Sequence, residues 1–443
     1  MKTNQNRQSN LRQIQVKIRA QKPHQDMNRI FAATFLLLLI LMATFILASN
    51  AYAHGEKAQQ AGLRMRTLNW FDTEIYPREM SVNDNLTIKG KFMPSEHWPR
   101  HMASITDTAF LNVGVPGPAF IRVNSNVNGT PMIRSTSFEL GKIYEYEINL
   151  KARIPGRYHV HPIINVKGAG PIIGPAFWVN VGGDQANFVN TATTLDGTVI
   201  DMETYGLNAS IWLHVFWVIF GLAWIAYWFR NMRKDPVIMP RFKKVKMLGP
   251  ERADELITRR ETLMGMIVLG AMLTIITGGF FLTQQVVPQT IPLQTGWIPI
   301  EPIENPTTNE VIKIKVGEST YRIPGRSFQV EMTITNNTPR PIQIGEFMTA
   351  NIRFINSQVQ TVIAEDTHHL IASDALRVEG GPILPGETKT IKMIAEDALW
   401  ESERLTSLVY DPDSFFAGMI FFFDDEGNRY YREIGGTMFP TFI

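Results

Sequence analysis

The chain of 443 residues contains no cysteine. That absence excludes disulfides, zinc–thiolate sites, iron–sulfur clusters and the thiolate-bound copper centres of electron-transfer proteins. Any transition metal held here must use nitrogen and oxygen ligands. Charge is also missing, but only locally: Ile30–Leu47, Ile211–Phe229 and Leu263–Leu282 carry no Asp, Glu, Lys or Arg. Hydrophobic residues make up 44% of the whole, an ordinary globular share, so the apolar excess is concentrated in these runs. The length allows two or three domains.

The first apolar run reads as an export signal. A basic lead (Lys2, Arg7, Arg12, Lys17, Arg19, Lys22, Arg29) precedes it, and Ala51-Tyr52-Ala53 supplies the small-x-small pattern of a cleavage site. Residues 1–53 are therefore expected to be a cleaved signal peptide, which makes His54 the first residue of the mature chain. The alternative is an uncleaved anchor, because 18 apolar residues nearly span a bilayer.

The other two runs have the length of membrane-spanning helices, expected at 207–230 and 262–283. Between them lies a loop, 231–261. Counted from Arg230 to Glu261, it holds ten basic residues against five acidic ones. Positive loops stay in the cytoplasm, which places both flanking regions on the opposite, periplasmic side. A cleaved signal demands the same orientation. Without leader and loop the chain carries 26 basic and 35 acidic residues, a net charge of −9, although the full chain is formally +2. The exported portions are acidic, and no basic surface for nucleic acid is indicated.

Both exported portions, 54–200 and 285–443, read as β domains. Ile143 to Leu150 alternates apolar and polar residues, with Gly141 before it and Pro155-Gly156 after it. In the second portion Phe328, Val330, Met332 and Ile334 alternate with polar neighbours up to Asn336-Asn337-Thr338-Pro339. Leu384-Pro385-Gly386-Glu387 then turns into Thr388–Met393. Short strands between turns at this spacing predict antiparallel sandwiches or small barrels. The shared turn-then-strand pattern hints at duplication.

Nine histidines are the candidate ligands. As an amino terminus, His54 offers its α-amine and Nδ1, which close a six-membered chelate ring. The amine has a pKa of ~8, so its proton is displaced at neutral pH by Cu(II), the ion that heads the divalent affinity series. His159 and His161 follow the Pro155-Gly156 turn, and residues i and i+2 of a strand share a face about 7 Å apart. Two imidazoles so placed converge on one ion, or they are a solvated pair on a sheet face. Together with a terminal histidine they form a nitrogen set suited to copper. His97 and His101 flank Trp98-Pro99-Arg100 and read as surface or packing residues. Adjacent on a strand, His368 and His369 would face opposite ways. His214 sits near the exported end of the first spanning helix, and a partner-facing or hydrated role fits it.

Three stretches resemble the B subunits of the copper membrane monooxygenases, the particulate methane and ammonia monooxygenases. They are His54-Gly55-Glu56-Lys57, Leu111-Asn112-Val113-Gly114-Val115-Pro116-Gly117-Pro118, and Tyr158-His159-Val160-His161 leading to Gly170-Pro171-Ile172-Ile173-Gly174-Pro175. The resemblance covers essentially the whole mature chain. It implies a mainly β protein, two exported cupredoxin-like domains joined by a two-helix transmembrane hairpin, the second domain without copper ligands. It implies a copper site at His54, His159 and His161. It further implies two mostly transmembrane partners, the A and C subunits, in a trimer of heterotrimers within a bacterial inner or intracytoplasmic membrane. Such a complex inserts one atom of O2 into ammonia, giving hydroxylamine, or into methane, giving methanol.

One departure stands out. Some methane-oxidising members carry two further histidines in this domain, and the positions that match are Asn69 and Met93. Asn and Met make a poor pair for Cu(II), so a second copper there is not expected, and ammonia is the expected substrate. Rival readings are weaker. A periplasmic copper carrier needs neither the helices nor the second domain, and the dinuclear copper centre of a terminal oxidase needs cysteines. A scaffold that copper merely stabilises stays compatible with membership of such a complex.

Overall fold

Period-two alternation builds most of this chain. A computed structural model describes residues 59–194, 196–229, 238–286, 297–303, 311–323, 326–359 and 370–442. The signal segment, His24, the His54–Lys57 stretch, part of the basic loop (230–237) and the His368-His369 pair lie outside these residues. The first β region runs β1 (Leu68–Tyr76), β2 (Glu79–Ser81), β3 (Asn85–Pro94), β4 (Ala109–Gly114), β5 (Phe120–Val127), β6 (Thr130–Pro131), β7 (Tyr144–Ala152), β8 (Gly156–Val166), β9 (Gly170–Ile173) and β10 (Phe177–Gly182). A hairpin, β11 (Thr191–Thr193) and β12 (Val199–Asp201), follows. One sheet has the order β1-β3-β7-β5-β6. The other runs β2-β10-β8-β4, with β9 paired to β8.

β7 shows why the strands form. Tyr144, Tyr146, Ile148, Leu150 and Ala152 are buried, while the alternate residues face outward. Gly141 turns the chain into it with φ 71°, a conformation that costs glycine nothing sterically. The inward residues of both sheets enclose one apolar core with Trp70, Phe92, Leu111, Val160, Ile164 and Phe177.

The second β region runs β13 (Ile312–Ile323), β14 (Ser327–Asn336), β15 (Ile342–Thr349), β16 (Ile352–Ile355), β17 (Ile371–Ala372), β18 (Leu376–Glu379), β19 (Thr388–Glu396), β20 (Phe415–Asp424), β21 (Arg429–Thr437) and β22 (Phe439–Phe442). Its sheets have the orders β18-β19-β14-β13-β22 and β17-β16-β15-β20-β21. Phe328, Val330, Met332 and Ile334 of β14 all point into the core. The turn before β19 uses Gly386 at φ 74°. The fold is thus mainly β, two sandwiches with two long apolar helices in the chain between them.

The two sandwiches are welded together. A short helix, Ala61–Arg66, precedes β1, yet its Ala61 and Met65 lie in the core of the second sandwich. Arg64 donates Nη1 to the Glu403 carbonyl at 2.9 Å and Nη2 to the Ala350 carbonyl at 3.0 Å, and it pairs with the Glu403 carboxylate at 3.3 Å. Phe71, Met93 and Ile143 of the first sandwich pack on Met348, Met419, Phe421 and Phe423 of the second. Arg429 adds a two-pronged grip on Asp72 at 2.9 and 2.5 Å.

The long helices are Leu207–Phe229, with 23 residues, and Arg259–Val286, with 28. At 1.5 Å per residue they extend about 35 and 42 Å, enough to cross a hydrocarbon core of about 30 Å. Neither is buried within the chain. A basic helix, Ile238–Leu248, lies in the connection. The second long helix starts on a capping box: Thr258 N–H donates to Glu261 Oε2 at 3.0 Å and Glu261 N–H to Thr258 Oγ1 at 3.4 Å. Arg241 pairs with the same carboxylate.

Candidate metal centre

β8 places the two histidines. Val160, Pro162, Ile164 and Val166 of this strand are directed toward the core, which turns His159 and His161 to the opposite face. The strand changes neighbour between them. His159 pairs across to Trp178 on β10, whereas His161 pairs to Gly114 on β4. The two imidazoles sit with ring centroids 4.6 Å apart at 82°. His159 is half-buried and His161 is 9% exposed.

Of the two glycines beside the pair, Gly174 is the one that space requires, since Ile163 can turn its end away from a side chain at 114. A Cβ on Gly114 would come 2.6 Å from Ile163 Cδ1 and 3.6 Å from His161 Cδ2. One on Gly174 would meet Pro162 Cγ at 2.7 Å and Trp70 Cδ2 at 3.0 Å. Gly174 also donates its N–H to the Pro162 carbonyl at 2.8 Å, and its own carbonyl lies 3.4 Å from His161 Nδ1. A neutral imidazole whose Nδ1–H is directed at that carbonyl keeps its lone pair on Nε2, the arrangement of an oriented metal ligand. From the second sandwich, Asn351 donates to the Ile173 carbonyl at 3.0 Å and steadies the same turn. The Gly114 motif, about 45 residues earlier in the chain, therefore meets the hairpin formed by the His-x-His strand and the Gly170–Pro175 motif at one place.

Two residues that sequence reasoning missed, one aromatic and one cationic, complete the surroundings. The Trp178 ring lies 4.7 Å from the His159 ring, and the Arg157 guanidinium 4.6 Å from Trp178. The alternation of Phe177-Trp178-Val179 marks Trp178 as outward-facing, but its register opposite His159 is visible only in the fold.

As a donor set the pair fits two positions of an all-nitrogen copper site. It does not complete one: no trio of His, Asp or Glu side chains able to hold a metal occurs among the described residues. His54 lies outside them.

The remaining histidines are placed elsewhere. His97 packs its ring 5.3 Å from Phe415 and against Gly435, and burial lowers its pKa below the ordinary histidine value. His101 Nδ1 stands 3.9 Å from Asp413. His214 turns Nδ1 back to the Ser210 carbonyl at 2.7 Å within its own helix. A cleft of about 450 Å³ lined by Asp72, Glu74, Lys89, Lys91, Glu145 and Glu147 includes no histidine. Its lysines are engaged with Glu74 at 3.1 Å and Glu145 at 3.4 Å.

Asn69 and Met93 face each other across β1 and β3. Asn69 donates to Glu433 Oε1 at 3.0 Å, and Met93 belongs to the apolar contact between the sandwiches. Glu433 also accepts the Glu96 N–H at 2.8 Å, and burial between the sandwiches pushes its pKa up to about 7.

Fold and site together define a membrane-associated β protein that presents a converging histidine pair on one sheet face. The chain belongs to the monooxygenase B-subunit family, whose model matches residues 55–442. It is 42% identical over 409 residues to the particulate methane monooxygenase alpha subunit of Methylococcus capsulatus, covering 92% of this chain and 96% of that protein. The crystal structure of the cupredoxin domain of amoB from Nitrosocaldus yellowstonii is matched over 30% of this chain and 98% of that one, at 13% identity and a TM-score of 0.23, too low a score to bear on the fold. The chain is accordingly a monooxygenase subunit, which implies companion subunits.

Proposed function

We propose that the chain is the copper-binding subunit of a membrane-bound monooxygenase complex that oxidises ammonia to hydroxylamine with O2. The observation that carries this is the convergence of His159 and His161 where the Gly114 strand meets the His-x-His hairpin. In this reading cleavage after Ala53 frees His54, whose amine and imidazole join the pair around one copper. Copper supplies, when bound, the redox chemistry toward O2. The chain's own contribution is positional: the Gly174 carbonyl, 3.4 Å from His161 Nδ1, orients that imidazole, and the glycine at 174 lets the hairpin close up against Pro162 and Trp70. Both sandwiches, read as cupredoxin-like, stand on the periplasmic side of a bacterial inner or intracytoplasmic membrane, with the basic connection inside. The A and C subunits complete a trimer of heterotrimers. One oxygen atom goes to the substrate and the other leaves as water, with two electrons and two protons from a donor bound elsewhere in the complex.

Methane is the second reading, favoured by the name of the 42% identical relative. Membranes carrying the complex, given ammonia or methane, should form hydroxylamine in preference to methanol. Predominant methanol would reverse the substrate assignment. At the site, His159→Ala with His161→Ala in the full chain should remove the copper that this protein holds. Retention of stoichiometric copper by the folded double variant contradicts the ligand set. If copper is lost while turnover of the complex persists, the chain is a copper-stabilised scaffold and the reaction occurs in a partner.

A further inference from the structure

We propose that Trp178, backed by Arg157, is the positioning residue that fixes the imidazole of His159 for metal binding. This rests on the copper reading above and extends it to residues outside the ligand set.

The two histidines need different supports because their strand has different neighbours on its two halves. His161 has the Gly174 carbonyl behind Nδ1. His159 lies where β8 pairs with β10, and the residue directly across is Trp178. The indole covers the imidazole at 4.7 Å with the ring planes 39° apart, an aromatic contact that limits rotation about χ2. That torsion is otherwise broad and nearly two-fold for histidine. Trp178 is itself 38% exposed, so packing from the core does not hold it. The Arg157 guanidinium, 4.6 Å from the indole, does so through a cation–π contact. Arg157 and His159 are i and i+2 on β8, hence on one face, and Trp178 rests against both. The result is a three-residue stack across two strands whose inner end is a candidate ligand. Residues that orient a ligand typically matter by about 10- to 100-fold in metal affinity.

The test uses the full chain, exported and processed to a free His54 and solubilised from membranes. Copper affinity by chelator competition, Cu(II) EPR and tryptophan emission are recorded for the wild type, Trp178→Phe, Trp178→Leu, Arg157→Gln and Arg157→Lys. The component of emission absent from Trp178→Phe should be the one quenched by copper in the wild type. Trp178→Leu leaves a smaller apolar side chain with no aromatic face, and should bind copper at least tenfold more weakly with altered hyperfine splitting. Trp178→Phe should stay within about threefold of the wild type. Arg157→Gln should fall between, and Arg157→Lys should recover. Wild-type affinity and spectrum in Trp178→Leu overturns the proposal, as does a loss in Trp178→Phe equal to that in Trp178→Leu. A wild type that binds no copper overturns the copper reading itself, a distinct result.

Discussion

Glu433 shows how one residue records the contact between the sandwiches. Burial raises its carboxyl pKa to about 7, outweighing the bonds it accepts from Ser95, the Glu96 N–H and Asn69, and the like charge of Glu96 adds to the rise. A raised carboxyl pKa means that the folded state prefers the neutral form. The associated stability is complete below about 4.5, the ordinary value, and is lost as pH rises through about 7. His97, lowered by burial, contributes a slope of opposite sign at the acid end. Glu433→Gln should therefore flatten the fall in unfolding temperature between about pH 5 and 7.5 measured for the solubilised chain. An unchanged slope in the variant would show that Glu433 is not its source. None of this is legible in sequence, because Asn69 and Glu433 are 364 positions apart. His159 and His161, by contrast, are legible as a same-face pair from spacing alone, since a strand has a period of two. What spacing cannot report is the company they keep: Trp178, Arg157 and the Gly174 carbonyl arrive through strand register.

At the scale of elements, β7 and β14 could be read directly, because their apolar residues alternate over a full strand and glycine or proline turns bracket them. The helix Ala61–Arg66 could not. Six residues give too little periodicity, and its burial depends on a core made by residues beyond 311. Its Arg64–Glu403 pair has both side chains 3% exposed. Two buried charges gain little net stability as a pair, but breaking a buried pair by removing one member costs about 3–5 kcal/mol. Arg64→Ala should lose stability of that order in urea unfolding, and adding Glu403→Gln should restore part of it. A loss below about 1 kcal/mol for Arg64→Ala would show that water reaches Glu403 and relieves it.

On the scale of the whole molecule, uneven charge and hydropathy carry the architecture. A mildly basic total conceals acidic β portions and a basic connection, and two uncharged runs become the helices Leu207–Phe229 and Arg259–Val286. The sandwiches share an apolar contact and the helix before β1, so their stabilities are coupled, and measurements at the site belong to the entire chain. The family follows from the match along residues 55–442; in the proposed copper site the third and fourth nitrogens would come from a processed terminus.

Whether His54 joins the two strand histidines around copper is decided by the chemistry of that terminus. Full-length chain processed to a free His54 is compared with chain carrying one extra residue before it, by copper content and Cu(II) EPR. Tight, stoichiometric copper with several nitrogen couplings is expected in the first form and a loss of affinity in the second. Equal binding and identical spectra in both would exclude the His54 amine as a ligand and overturn the proposed site.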